Sequence, residues 1–412
     1  VSTEPAASAA STPACTAYPA EPSRDTSTRR KPALAVLLVA WNLRAAIVAI
    51  SPLLPEIRRS TGMSSTMAGL LTTLPLVCFG LFAFVAPALH RRVGQDLLLP
   101  IILAALSAGI LLRLLAGLDA LFLGTIVAGA AIAVGNVTLP VTVRRLYPGR
   151  VALLSGLVAV GVSGGAALAS GLTIPIADVA GLSWRPALAI WAIPAVAALA
   201  VVASTMRPFP APPGASGTGL SRTAPRPVRG PRVPAGALSL TLFMGLQSLD
   251  FYAAAAWLPT VFQAHGVSAS SSGWLVSLAS LVSIPASLGA PLLTVRSRRP
   301  GWLVVAATVV CGAGLAGVAL DPAGPAFAYM CLLGVGQGAT FALALRAIAS
   351  HAGSGTDVAR LSSVVQGGGY LLAALGPVVV GALHALSGGW SLPLAVLVVL
   401  LVPEALAGVM SS

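Results

Sequence analysis

Two ionisable residues stand inside long apolar stretches of this chain, Arg44 in 34–54 and Asp250 in 238–260. Arg44 lies about ten residues into its stretch, near the level of a bilayer midplane, where an arginine costs about 2.5–3.5 kcal/mol on insertion scales. A guanidinium held there offers several directed N–H donors to an anion or a polarised group. The same donors could instead serve an internal ion pair or backbone carbonyls. Asp250 reads as the only acidic residue well inside such a stretch. Opposite a cation, a carboxyl can exchange a proton as a ligand competes for that cation. A purely structural pair, or a carboxyl at the outer mouth, is the other reading.

A second group is polar but uncharged: Asn42, Asn136, Gln247, Ser248, Tyr252, Gln337, Gln366 and Tyr370. Facing lipid, amides and phenols would be costly, so most should point inward, to a ligand or to a neighbouring helix. Trp41 and Trp257 could wall a cavity, and Trp257 could equally anchor a helix end at an interface. Gly156, Gly161, Gly164 and Gly165, with Gly367, Gly368 and Gly369, read as close-approach positions. Pro52, Pro55, Pro140 and Pro259 suggest bends near gates. No phosphate loop, HExxH, paired catalytic carboxylates or nucleophile motif occurs. The four histidines (His90, His265, His351 and His384) lack metal-ligand spacing. Enzyme chemistry, a metal and a cofactor are therefore not expected, and ATP-driven work would need a partner chain.

The elements that must hold these groups follow from composition. Of 412 residues, 57% are hydrophobic and 8% charged, with a mean hydropathy of +0.92. Soluble proteins carry about 25% charged residues. Too few charges remain to solvate globular domains of this length, so the chain is a polytopic membrane protein. Its net charge of +13 does not signal nucleic acid, because the basic residues sit in short segments between apolar runs. Cys15, Cys78, Cys311 and Cys331 show no zinc or disulfide spacing.

Residues 1–32 read as a disordered, Ala/Ser/Thr/Pro-rich tail. Its Arg29-Arg30 precedes a stretch too long, and interrupted by Arg44, for a cleaved export signal. Twelve spans follow: 34–54, 67–87, 97–115, 120–141, 151–173, 186–206, 238–260, 273–293, 302–320, 326–345, 361–383 and 391–410. Spans one to six form a half over 33–206, and the rest a half over 238–412. Between them, 207–237 is a basic linker carrying Arg207, Arg222, Arg226, Arg229 and Arg232 and no acid. With the N-terminus inside, 19 basic residues fall in cytoplasmic segments. Four fall outside (Arg58, Arg59, Arg113 and Arg185), which predicts both termini in the cytoplasm.

The halves repeat. Shifted by 204 residues, Leu54-Pro55, Gly62, Ser64, Gly69, Leu71 and Leu74 fall on Leu258-Pro259, Gly266, Ser268, Gly273, Leu275 and Leu278. Ala86-Pro87, Leu89 and Arg92 fall on Ala290-Pro291, Leu293 and Arg296, giving 11 identities across 39 positions. The same shift sets Asp250 on Ala46, about 3 Å of helix rise from Arg44, so the two charges could pair across a cavity.

Asn42-Leu43-Arg44, Ser51-Pro52-Leu53-Leu54-Pro55-Glu56-Ile57, Gly69 to Pro75 and Cys78-Phe79-Gly80 resemble the cyanate/nitroimidazole permease family of the major facilitator superfamily. So do Gly245 to Leu249, Phe251-Tyr252, Trp257-Leu258-Pro259, Gly334 to Gly338 and Gly369 to Pro377. The resemblance covers nearly everything after the tail. It implies a major facilitator fold of twelve helices in two six-helix halves. It also implies that spans one, four, seven and ten line a central cavity. One departure stands out. The superfamily's Gly-x-x-x-Asp-Arg-x-Gly pattern between spans two and three is here Pro87-Ala-Leu-His90-Arg91-Arg92-Val93-Gly94, so its carboxylate latch does not carry over.

Taken together, these features predict a secondary active or facilitative transporter, not an enzyme, working as a monomer in the cell's inner or plasma membrane. Its partners are the lipid bilayer, a small organic anion or polar heteroaromatic substrate and, if transport is coupled rather than facilitative, protons; nucleic acid is not a partner. Substrate contact is expected from Arg44, Asn42, Asn136, Gln247, Tyr252, Gln337, Gln366 and Tyr370, proton coupling from Asp250, and gating from Pro55, Pro259 and Arg92. A proton-coupled drug exporter of the same fold and a non-transporting membrane receptor are the competing readings.

Overall fold

The structure is a computed structural model that describes residues 26–93, 95–147, 151–205, 236–297, 299–322, 324–351 and 355–411. Most of the expected tail (1–25) and nearly all of the expected linker (206–235) lie outside the described residues. The first half contains α1 (Thr26–Val48), α2 (Ile50–Thr61), α3 (Ser65–Val93), α4 (Gln95–Leu112), α5 (Leu118–Leu146), α6 (Val151–Ala180), α7 (Trp184–Ala189) and α8 (Ala192–Thr205). The second contains α9 (Ala237–Ala264), α10 (Ala269–Arg296), α11 (Pro300–Leu320), α12 (Ala326–His351), α13 (Gly355–Ala373), α14 (Leu375–Ser387) and α15 (Ser391–Met410). No strand occurs among the described residues. That is what hydrocarbon demands, since a helix satisfies its backbone polar groups within its own segment. The first helix begins at Thr26, inside the stretch read above as tail.

Ten helical segments are long and apolar enough to cross a bilayer, and Leu97–Leu112 is a shorter apolar one. With α9, whose Gln247 and Asp250 lower its hydropathy, they correspond in order to the twelve expected spans. Large side chains such as Leu97, Val309, Val399 and Leu406 are exposed on the outside of the bundle, where lipid tails replace water.

Proline position explains where spans are interrupted. The turn at Ala49 lies just before Pro52, the turn at Ala374 just before Pro377, and the turn at Trp191 just before Pro194. A proline lacks the N–H that would bond the carbonyl one turn back, and its ring crowds that carbonyl. Among the four prolines expected to bend spans, only Pro52 coincides with a break; α2 runs through Pro55, α5 through Pro140 and α9 through Pro259.

The halves pack along α3 and α13, where Gly367 lies against Phe84, and their cross-half hydrogen bonds gather at the end away from the linker. There Gln263 Nε2 donates to the Pro52 carbonyl at 3.2 Å, and Thr73 Oγ1 to that of Ala374 at 2.9 Å. Glycines bring the backbones together. A Cβ on Gly273 would stand 2.3 Å from the Ser170 carbonyl oxygen, and one on Gly69 2.6 Å from that of Pro377. Toward the opposite end of α6 and α10, Gly156, Gly164 and Gly289 have nothing within 4 Å of a Cβ position. The Pro52–Gln263 end of the seam is therefore closed.

Gly273→Val should drive a side chain into the Ser170 backbone and cost about 1–3 kcal/mol, the usual penalty of overpacking. The expected result is a lower thermal unfolding midpoint in detergent. Gly289→Ala, which meets open space, should leave the midpoint unchanged or slightly raised.

Candidate functional site

Arg44 faces the second half. Its Nη2 donates to the Tyr252 hydroxyl at 2.9 Å, and its Cζ lies 4.8 Å from the Phe251 ring centroid and 5.4 Å from that of Tyr252. Phe79 and Tyr370 complete the aromatic layer. Phe79 stands edge-on to Tyr370 at 5.4 Å and to Tyr252 at 6.4 Å, and Tyr252 and Tyr370 are 6.5 Å apart. One cation is thus held between α1, α3, α9 and α13 by ring faces and a phenol. Only one guanidinium nitrogen has a hydrogen-bond partner in this layer, and the group is half-buried. Planar donors remain for a further acceptor.

Asp250 is not the partner of Arg44. It is buried on the other side of α9, where its Oδ2 accepts from Gln337 Nε2 at 3.2 Å and from Cys311 Sγ at 3.4 Å, while Oδ1 has no partner. The reason is angular. Asp250 and Tyr252 are two residues apart on one helix and so point to different faces. Tyr252 looks to the first half, and Asp250 into the interior of its own.

A second carboxyl accompanies it. Glu404 on α15 is buried and within electrostatic reach of both Asp250 and Cys311. The helix register puts it there. Leu401 packs at Gly312, and Gly408 packs at Val304 and Phe243, so Glu404 between them faces α9 and α11. Asp250 is therefore not the only acid deep in a span, as the sequence reading had it. Glu404 directly follows Pro403 near the end of its apolar run, which makes it look like a helix-end residue.

A small cleft beside the two groups, lined by neither of them, runs past Val48, Phe251, Ala254, Leu258, Val276, Ala279, Met330 and Gln337. Phe251 contributes the face under Arg44, and Gln337 is the donor to Asp250. The remaining expected residues scatter. Asn42 is buried inside the first half, donating to the Leu38 carbonyl at 2.8 Å and to that of Pro194 at 3.3 Å. Gln247 is buried against Met244 and Ser248 within its own helix. Asn136 is exposed on α5, and Gln366 is half-buried on α13. Trp257 is a core residue, with Nε1 donating to the Pro377 carbonyl at 2.9 Å. Pro259 is buried, Pro55 half-buried, and Arg92 exposed at the end of α3. Arg113, counted above among outer charges, is instead fully buried in the first half.

Near the departure from the superfamily pattern, His90 Nε2 lies 3.0 Å from Thr138 Oγ1, which itself donates to the Val134 carbonyl. Burial lowers the His90 pKa, so a neutral ring donating from Nε2 fits the pair. The side chains of Arg91 and Gly94 lie outside the described residues.

Two halves of like helix order, meeting at a seam that holds Arg44, have the layout of an alternating-access transporter. The chain belongs to the major facilitator superfamily, whose family model matches residues 33–357 and 240–410. It is 34% identical over 359 residues to the 2-nitroimidazole transporter of Escherichia coli, covering 87% of this chain and 89% of that one. Identity to the cyanate transport protein of the same organism is 30% over 358 residues, covering 87% and 91%. An uncharacterized transporter of Bacillus subtilis is 33% identical over 376 residues, covering 90% and 91%. A bacterial homologue of the lysosomal transporter spinster, solved in an inward-facing, unoccupied conformation, shares the fold. Its TM-score is 0.73 at 16% identity, over 94% of this chain and 97% of that one.

Proposed function

We propose that this chain moves a small planar substrate, an organic anion or a polar heteroaromatic compound, and that Arg44 in its aromatic layer is the contact that selects it. The observation that carries this reading is the half-buried guanidinium, held by ring faces and one phenol and keeping donors unspent at the seam. Such a group can bind a nitro, carboxylate or cyanate oxygen in its plane while Phe79, Phe251 or Tyr370 stacks against a ring. The names of two relatives, for 2-nitroimidazole and for cyanate, fit that chemistry. A single chain supplies both halves, which supports a monomer as the working unit, and membership of the superfamily supports transport over enzyme chemistry. The positive-inside bias supports a plasma-membrane orientation with both termini and the basic linker in the cytoplasm. The closed Pro52–Gln263 end of the seam would then face the outside.

Asp250 is the proposed proton carrier. It is buried without a cationic partner and has one open oxygen, and a bound proton removes the cost of the charge. Gln337 links it to the cleft, so a ligand that engages the amide alters the hydrogen bonding of the carboxyl. Glu404 is a second buried acid beside it.

Flux of 2-nitroimidazole and of cyanate into proteoliposomes tests the substrate reading. Arg44→Lys keeps the charge but loses the planar donor array, and should raise KM at least about tenfold, the worth of one charge-assisted hydrogen bond. Arg44→Ala should abolish flux with the protein still in the membrane; unchanged affinity in that variant would make the arginine structural.

Asp250→Asn should lose acceleration by an imposed pH gradient while keeping substrate exchange between the two sides, because exchange needs alternation but no net proton transfer. Gradient-driven accumulation retained in full would remove Asp250 from coupling.

Orientation is read by labelling single cysteines with impermeant maleimide. One at Arg226 should react only from the cytoplasm and one at Gly266 only from outside; labelling of the Arg226 position from outside overturns the topology.

A further inference from the structure

The first span is broken just outside Arg44, and the break leaves backbone groups without partners. Pro52 has no N–H for the Val48 carbonyl, and with the turn at Ala49 the Ala46 carbonyl also loses its place in the helix ladder. In an apolar bundle such a carbonyl must be satisfied by another group. Arg113 answers it. This side chain is 1% exposed at the end of α4, and its Nη1 donates to the Ala46 carbonyl at 2.8 Å. Its Nε and Nη2 are buried without partners. Burying an arginine without a carboxylate is expensive, so packing alone is a poor account of it.

The second half supplies the control. Gly109 approaches α5 at the Ala128 amide as Gly314 approaches α12 at the Leu333 amide, 2.6 Å and 2.7 Å from the respective Cβ positions. By that pairing Arg113 corresponds to Val318, an apolar residue that is fully buried. The position matching Pro52 under the 204-residue shift is Ala256, and α9 is continuous there. Arginine and break occur together in one half and are absent together in the other.

The geometry points to Arg113 as a positioning residue that braces the α1–α2 bend and so sets where α2 stands against α9 and α10. That contact, through Gln263 Nε2 to the Pro52 carbonyl at 3.2 Å, is part of the closed end of the seam. Two unspent donors let the same guanidinium follow the carbonyls of Ile47 and Val48 as the bend changes. Arg113 thereby favours the state closed at this end, at a level of α1 adjoining Arg44.

The test uses no substrate. Spin labels at Ser60 and Ala264, on a chain whose four native cysteines are replaced, report the separation of α2 and α9 at this end. Arg113→Met should shift the ratio of closed to open populations toward open by about tenfold, the scale of one charge-assisted hydrogen bond. Arg113→Lys, which keeps a donor, should largely restore the closed population. Pro52→Ala, which returns the missing N–H, should suppress the Arg113→Met defect. If Arg113→Met leaves the distances unchanged in a monodisperse protein, the brace is refuted. If that variant fails to fold, the Pro52→Ala double variant decides: recovery of folded protein supports the brace, and equal failure overturns it.

Discussion

A charge or a free carbonyl in hydrocarbon has to find its partner inside the protein, and this bundle has few partners to offer. With 35 charged residues in 412, most at the membrane surfaces, each buried polar contact constrains the rest. Arg44 meets that demand without a carboxylate, through one phenol and two ring faces. An ion pair would have neutralised the cation and left little for a ligand to gain by binding. Ring quadrupoles hold it more weakly and leave its plane free. The separation of Arg44 from Asp250 is thus a functional consequence of which face of α9 each side chain meets.

That separation divides the second half into two polar compartments. Tyr252 and Phe251 face the seam, while Asp250 reaches inward to Cys311, Gln337 and, through the field, Glu404. Gln337 alone of these lines the cleft that Phe251 also lines. Gln337 thus lines the cleft while its donor serves Asp250. A ligand that competes for this amide weakens a hydrogen bond to a buried acid, and the energy scale of such an exchange is about 1.5–3 kcal/mol when the acceptor is charged. That is within the range typical of coupling between sites.

The family, the two halves and the order of twelve spans were legible because apolar run length and repeated Pro and Gly positions are local or periodic signals. Arg44 and Asp250 were legible as charges in apolar runs. Their partners were not. Whether Asp250 meets Arg44 or Cys311 depends on two residues of helix rotation, which hydropathy does not resolve. Asn42 looked like a cavity residue because amides are rare in such spans, yet it bridges α1 to the carbonyl of Pro194. Phe79 and Phe251 lay within the recognised segments, but an aromatic in an apolar span is indistinguishable from core until its neighbours are known. Arg113 was assigned outside because it follows a hydrophobic run, although it folds back into the bundle.

The two halves share helix order but divide the work. In the first, Pro52 breaks the span and an arginine is spent on the freed backbone; in the second, α9 stays continuous, and Asp250 occupies the repeat position of Ala46, the residue whose carbonyl that arginine serves. One repeat position therefore carries a backbone acceptor in one half and a side-chain acid in the other. A broken helix can change its bend without moving the helices packed around it, whereas a continuous one moves as a rod. The first span is accordingly suited to bend at the closed end, with Arg44 just inside its hinge. The seventh is suited to carry Asp250 in a rigid frame and present Tyr252 to Arg44 from a fixed height. The seam can then part without repacking α9, because Tyr252, which holds Arg44, and Asp250 already sit on different faces of that helix.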